Sequence, residues 1–296
     1  MTCLKSPLTY QEQIDRLKNF HNLTINDTDE AISILKSVNY YRLSGYGIGL
    51  TVKDNKNEYQ EGITLNDLYD LYNLDSLLKN LLFHVIEQIE ISFRSQIAYC
   101  LALAYGADGF YSSTNFNDKF NSNNVSIHSS IINSFEKDVD RQCKLPFVKH
   151  HIDYYEGKFP IWVAVELFTF GTLSSLFSIM KTKDRKVIAD FYNCSHINLG
   201  TWIQSLVEIR NICAHYGRLY NLPLRHTVPL PIEFSDCRQR INKVFPIILV
   251  IKFLCITEKQ WNDFYSSLKE LIHAYSQVIR LSYMGFPDNW LDLLGK

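Results

Sequence analysis

From Leu65 onward, apolar residues recur at helical spacing for some forty positions: Leu68, Leu71, Leu74, Leu78, Leu82, Val85, Ile89 and Phe93. A stripe this long at the 3.6-residue period predicts one helix over about 65–104. Thr64-Leu-Asn-Asp67 opens it, and Tyr105-Gly-Ala-Asp-Gly109 ends it. Only 12 Gly and 8 Pro occur in 296 residues, which suits a chain of regular helices rather than turns. The expected fold class is mainly α, with one small β-hairpin.

The remaining elements follow from caps and periodicity. Thr9-Tyr-Gln-Glu12 is a capping box that begins a helix over about 9–21, and Asp27 begins a second through Ile32, Leu35 and Val38. A strand over 48–52, a turn over 53–57 and a return at Glu58-Tyr59 make the hairpin. Residues 112–127, rich in Ser and Asn, read as an exposed loop before a helix over 128–141, and 146–159 reads as a polar connection. Pro160 heads an apolar helix over 161–180. Helices over 184–193 and 199–216 follow, the latter ended by Gly217 as a left-handed cap. Pro223, Pro229 and Pro231 make a rigid loop, and helices over 234–255 and 258–280 lead to the tail Gly285–Trp290. The whole of 1–296 reads as a single domain, with N-terminal helices and hairpin over 1–62 and a helical bundle over 63–296.

Net charge is −1, so the chain as a whole exerts no pull on nucleic acid; contact with RNA requires a local patch such as Lys181, Lys183, Arg185 and Lys186. The seven cysteines form no CxxC pair and read as reduced, buried thiols, which points to the cytoplasm. The start, Met1-Thr-Cys-Leu-Lys-Ser-Pro7, lacks the apolar run of a signal peptide. Stretches 161–180 and 245–256 are apolar, but Glu166 interrupts the first and the second is too short to span a bilayer. No membrane association is expected.

Chemistry concentrates in Glu208-Ile-Arg210-Asn211-Ile-Cys-Ala-His215-Tyr-Gly217-Arg218-Leu-Tyr-Asn221. An imidazole moves protons near neutral pH, and a guanidinium holds the charge of a phosphate under attack; together they serve ribonuclease chemistry without a metal. Asn211 and His215 share a helix face at i,i+4, whereas Arg210 lies about 140° from His215 around the axis. His215 sits in the last turn, beside the negative end of the helix dipole, a placement suited to a general acid or a phosphate binder. Arg218 and Asn221 add a cation and an amide nearby. Arg16 and His21 show the same spacing without such company and read as a solvated arginine and a surface histidine. Taken on spacing alone, Arg210–His215 reads first as a capped helix end with a structural histidine and an interface arginine. Glu90 and Arg94 form an i,i+4 pair, either a surface ion pair or a support aimed at the Arg210 site. Glu166, among Trp162, Val163, Val165, Leu167 and Phe168, needs a cation inside the bundle. His150, His151 and Asp153 lack metal-ligand geometry, and no phosphate-cradling glycine loop occurs. No metal and no cofactor is expected.

Several motifs occur in a fixed order: Asn39-Tyr-Tyr-Arg-Leu-Ser-Gly-Tyr46, Ile89-Glu90-Ile-Ser-Phe-Arg94, Pro160-Ile-Trp-Val-Ala-Val-Glu166-Leu-Phe-Thr-Phe-Gly171, Arg210-Asn211…His215…Arg218-Leu-Tyr-Asn221 and Gly285-Phe-Pro-Asp-Asn-Trp290. From about residue 5 to the C-terminus the chain thereby resembles the Abi-like family of bacterial abortive-infection proteins, AbiD/AbiF type. That family is similar to the HEPN superfamily of helical, metal-independent endoribonucleases marked by an Arg-x4–6-His motif. The resemblance implies a HEPN-like bundle over 63–296 and a bacterial, cytoplasmic anti-phage effector that cleaves RNA. Small non-coding RNA is an implied partner, and DNA is not. Arg210 and His215 carry over as the catalytic pair and Asn211 as the polar residue beside the arginine; Glu90, Arg94, Glu166 and Arg218 match as supporting residues. Tyr216 stands where relatives often carry a second polar group or histidine, which removes an accessory proton carrier there. Cleavage by a 2′-hydroxyl needs a base and an acid on opposite sides of phosphorus, so one motif per chain implies a homodimer with both pairs at one cleft. The competing readings are a non-catalytic RNA-binding or scaffold protein of a toxin-antitoxin-like system, and a plain helical interaction protein.

Overall fold

The computed structural model describes residues 4, 6–231, 234 and 242–295. The long apolar stripe forms α4 (Leu65–Tyr105), 41 residues and therefore about 62 Å long. Its N-terminus carries a reciprocal capping box, in which Thr64 accepts from the Asp67 N–H while the Asp67 carboxylate accepts from the Thr64 N–H. Around α4 pack α7 (Ile161–Ala164), α8 (Phe170–Ile179), α9 (Thr182–Phe191), α10 (His196–Ala214), α11 (Val244–Leu254) and α12 (Glu258–Ala274). α11 is buried on nearly every side, which explains why its sequence is apolar all round rather than striped. Among the described residues no helix is long and apolar enough to cross a membrane.

α1 (Tyr10–Asn19) pairs with α2 (Thr28–Ser37), and both precede the short α3 (Tyr40–Ser44). The hairpin is the antiparallel pair β1 (Thr51–Val52) and β2 (Asn55–Tyr59). Its turn is Lys53-Asp54, shorter than the 53–57 turn expected, so β2 starts at Asn55. The chain is thus mainly α with one small hairpin, as its periodicity predicts.

Several expectations need correction. The connection over 146–159 contains α6 (Pro146–Tyr154), with proline at its first turn. The helix expected over 161–180 is broken: α7 tightens into a 3-10 turn at Val165–Leu167, Phe168 is extended, and Thr169 caps α8 by accepting from the Thr172 N–H. Apart from Glu166 the apolar composition runs through the break, so periodicity did not reveal it. The break also turns Glu166 outward; its side chain is 59% exposed rather than buried in the bundle. α12 stops at Ala274 rather than near 280, and α13 (Trp290–Gly295) lies in the tail. Of the helix expected over 234–255, only 244–254 is seen as α11, and 235–241 lie outside the described residues, as do Cys3 and Cys237. The other five cysteines are free, but Cys143 is exposed rather than buried. The loop over 112–126, with α5 (Ile127–Arg141) after it, is largely exposed apart from Phe116.

Candidate functional site

α10 is 19 residues long, capped at its start by Ser195 accepting from the Asn198 N–H. Leu199, Trp202, Ile203, Leu206, Ile209 and Cys213 face the core, leaving Gln204, Glu208, Asn211 and His215 in a row at spacings of four, three and four. This row lines one side of an open groove of about 780 Å³, whose other walls are Ser174 and Ser175 of α8 and the loop bearing Arg225 and His226. Asn211 and His215 are exposed. The i,i+4 pair read from sequence therefore does share a groove.

The helix end differs in one respect from expectation. His215 is the C-cap, and the left-handed residue is Tyr216 at φ 55°, not Gly217. The Gly217 N–H reaches back to the Ile212 carbonyl at 2.8 Å. A Cβ on Gly217 would lie 3.0 Å from Ile212 Cγ2 and 3.3 Å from its carbonyl oxygen. A side chain at Gly217 would thus crowd Ile212, while Tyr216, 73% exposed, takes the strained conformation.

The loop after α10 is clamped from below. Asp75 of α4, fully buried, accepts from the Tyr220 N–H at 2.7 Å, the Leu219 N–H at 3.0 Å and the Tyr46 hydroxyl at 2.8 Å. Lys79, one turn on, lies 3.1 Å from Asp75 and donates to the Gly217 carbonyl at 2.9 Å. Burial, and then the Asp75 charge, push the Tyr46 phenol well above its ordinary range. From the N-terminal side, Arg42 donates to the Tyr216 carbonyl at 2.7 Å, Arg218 donates to the Gly45 carbonyl, and Asn221 donates to the Ile48 carbonyl at 3.0 Å. Arg218 and Asn221 thus fasten the loop rather than point into the groove.

Arg210 leaves α10 toward α4. Its Nε lies 3.6 Å from Glu90, its guanidinium stands over the Phe83 ring at 6.0 Å, and its Nη1 approaches Asn211 Oδ1 at 3.4 Å. Glu90, largely buried, also holds Arg94 at 3.1 Å. Arg94 further donates to the Val165 carbonyl, which also accepts from the Phe168 N–H in the turn after α7, and lies 3.8 Å from Glu166. Glu90, Arg94 and Arg210 line a small depression of about 160 Å³. The structure joins Arg210, Asn211, Glu90, Arg94 and Glu166 in one chain of contacts. Arg210 and His215 line different depressions, with Asn211 touching the first and lining the second.

Sequence reasoning missed Glu208, Arg225 and His226. Glu208 accepts from the Arg225 N–H at 2.9 Å, the His226 N–H at 3.2 Å and His226 Nδ1 at 2.7 Å. Burial pushes the Glu208 carboxyl up, but these hydrogen bonds outweigh it and hold the group below its ordinary value. The only signal available was the polar row 204–208–211–215, because His226 arrives through the proline-rich loop, which Trp202 anchors by donating to the Pro229 carbonyl at 2.8 Å.

Beyond Ser174, Ser175 and Gln204 the groove continues into a depression lined by Lys119, Arg185 and His196. Among the described residues no carboxylate lines this extension, and partial burial followed by repulsion from Arg185 and Lys186 depresses the His196 imidazole. Arg185 and Lys186 of the expected basic patch therefore lie close to the groove, whereas Lys183 stands over Tyr105 at 5.5 Å. A larger depression, about 1310 Å³, lies among the N-terminal elements and contains Arg16 and His21. There Arg16 stacks on Phe20 at 5.0 Å and His21 Nδ1 contacts the Asn57 carbonyl at 2.6 Å, so both are engaged in local packing. His151 likewise bonds the Phe147 carbonyl at 2.8 Å and stacks on Phe159. Among the described residues no group of three or more His, Cys, Asp or Glu is placed to hold a metal ion.

Comparison with curated proteins and with solved structures gives no match. A family model described as Abi-like protein matches residues 33–221, which takes in α3, the central helix α4, the break after α7 and the whole of α10 with its clamped loop. On that match, which spans well over half of its length, the chain belongs to the Abi-like protein family.

Proposed function

We propose that this protein is an abortive-infection effector that cleaves RNA without a metal, using Arg210, His215 and Asn211. The observation that carries the reading is an exposed histidine at a clamped helix end, in an open groove that runs on into a stretch lined by cations and, among the described residues, by no carboxylate. A phosphodiester backbone is the polyanion that such a track suits. Arg210 holds the charge of the phosphate, His215 transfers a proton, and Asn211 orients the guanidinium from 3.4 Å. Glu90, steadied by Arg94, positions Arg210, while Arg218 steadies the loop behind His215. The working form is a two-fold homodimer in which both Arg210–His215 pairs face one cleft, so each pair completes the other.

The test is cleavage of mixed-sequence single-stranded RNA in the presence of EDTA, with growth arrest on expression in bacteria as a second readout. Arg210→Ala and His215→Ala each lower the rate by about 10²-fold or more, and products carry 2′,3′-cyclic phosphate and 5′-hydroxyl ends. Full activity in both folded variants, or activity abolished by EDTA, overturns the reading. One observation favours the non-catalytic alternative: Glu90 competes with phosphate for Arg210 at 3.6 Å. That alternative predicts RNA retained on the purified protein but uncut.

A further inference from the structure

The geometry points to a nucleotide-binding site in the depression of about 1310 Å³ among the N-terminal elements, with the base held by aromatic rings and the phosphate by Arg16, Lys53 and Lys56. The inference stands apart from the ribonuclease reading, since the groove beside α10 shares no lining residue with this depression.

Two kinds of side chain meet here. Phe20, at the end of α1, and Tyr41, in α3, are 54% and 88% exposed, while Tyr40 is half-buried and Tyr59 of β2 is buried. Aromatic faces open to water suit stacking on a base, and stacking tolerates any base. Cations arrive from three places: Arg16 from α1, Lys53 from the hairpin turn and Lys56 from β2. All three are exposed, and none is in an ion pair with a described residue. The Arg16 guanidinium lies over the Phe20 ring at 5.0 Å, and its N–H groups make no hydrogen bond to a described residue. Among the described residues no carboxylate lines the depression. In a chain of net charge −1, such a recess is a local field that favours an anion. A plain inorganic anion would leave the rings unused, and an uncharged aromatic would leave the cations unmatched. A nucleotide satisfies both.

The recess is preformed. Gly47 lets Tyr59 come close, since a Cβ there would lie 2.5 Å from the Tyr59 ring. The Tyr40 and Tyr59 hydroxyls meet at 3.4 Å, and His21 Nδ1 donates to the Asn57 carbonyl at 2.6 Å, tying the end of α1 to the hairpin. Behind this wall Tyr46 is held by Asp75, while Arg218 and Asn221 hold the Gly45 and Ile48 carbonyls. Little ordering is left for a ligand to bring about. The volume exceeds the roughly 300–1,000 Å³ of a usual small-molecule pocket. The same chemistry can therefore arrive as a free nucleotide or as part of a strand.

The experiment measures binding to the full chain by isothermal calorimetry, with ATP, AMP, adenosine and inorganic phosphate as separate ligands. A further arm uses a 2′-O-methylated adenylate trinucleotide, which lacks the 2′-hydroxyl nucleophile. ATP and AMP bind, and adenosine and phosphate alone each bind about tenfold more weakly or worse. Tyr41→Ala weakens AMP binding by about tenfold, the loss of one stacked base. Lys53→Ala combined with Lys56→Ala weakens ATP binding by about tenfold at low salt, and by less as salt screens the charges. These side chains are exposed, so the variants keep the fold, which thermal melting checks. A trinucleotide that binds more tightly than AMP and is lost in the same variants identifies a strand as the source; equal or weaker binding identifies a free nucleotide. Phosphate binding as tight as that of AMP marks an anion site only and overturns the proposal. So does the failure of every nucleotide to bind at millimolar concentration. Affinity lost in His215→Ala but kept in Tyr41→Ala puts the ligand in the groove beside α10 and also overturns it. RNA cleavage is a separate readout, and its absence leaves the nucleotide site standing.

Discussion

Replacing Asp75 by Asn tests what holds the loop after the motif helix. The carboxylate is fully buried and takes three hydrogen bonds, from Tyr46, Leu219 and Tyr220, while neutralising Lys79 at 3.1 Å. Asparagine keeps the shape but offers one accepting oxygen, turns an N–H2 toward donors, and leaves the Lys79 ammonium without a counter-charge. Removing one partner of a buried pair costs about 3–5 kcal/mol. For a chain of 296 residues, an unfolding entropy of roughly 2 cal/mol/K per residue turns this into a fall in Tm of about 5–8 °C. Lys79→Met alone leaves the carboxylate with its three donors, so the expected loss is smaller, about 1–3 kcal/mol. In the double variant the lysine charge is no longer stranded, and the two losses sum to more than the measured one by about 1 kcal/mol or more. Urea and thermal unfolding followed by circular dichroism supply all four corners of the cycle. A loss under about 1 kcal/mol for Asp75→Asn, or strict additivity of the two changes, refutes the clamp as the source of the loop's order.

Other outcomes rest on the same structure. Tyr216→Gly relieves a left-handed side chain at φ 55° and raises stability by up to about 1 kcal/mol, whereas Gly217→Ala pushes a Cβ against Ile212 and lowers it; thermal melting of the two variants reads opposite signs. Cys143, exposed, is alkylated by iodoacetamide at pH 8 in the native protein, while Cys213, whose thiol burial pushes up to about 12, and Cys100, Cys194 and Cys255, pushed up to about 11, stay unmodified until unfolding. Peptide mass mapping distinguishes them, and early labelling of Cys213 contradicts its burial on the core face of α10.

The sequence made legible whatever a helix repeats locally. α4 and α10 declare themselves because their buried faces recur every three or four residues. The break between Val165 and Thr169 was not legible because Leu167, Phe168 and Phe170 keep the stretch largely apolar around Glu166 and a single threonine makes the new cap. Gly217 misled for a physical reason: glycine serves both positive φ and close approach, and composition does not say which. Arg218 was visible as a cation but not as the partner of a carbonyl 173 positions away. His226 reaches Glu208 from 18 positions on, past the end of α10 and the loop that follows, a pairing no local spacing encodes.

The contacts between α4 and α10 carry a constraint on length. Lys79 holds the Gly217 carbonyl just past the end of α10 and Glu90 holds Arg210 within it, so α4 fastens α10 and the loop that follows it at two rungs, with the two helices running in opposite directions. On α4 those rungs stand 11 residues apart, about 16 Å along the axis. One residue inserted or deleted between them would turn one rung by about 100° relative to the other and slide it by about 1.5 Å. Side-chain substitutions within this interval leave the spacing intact, but a change in residue count cannot preserve both fastenings. The stretch 80–89 of α4 therefore works as a fixed gauge: its composition can drift, and its number of residues cannot.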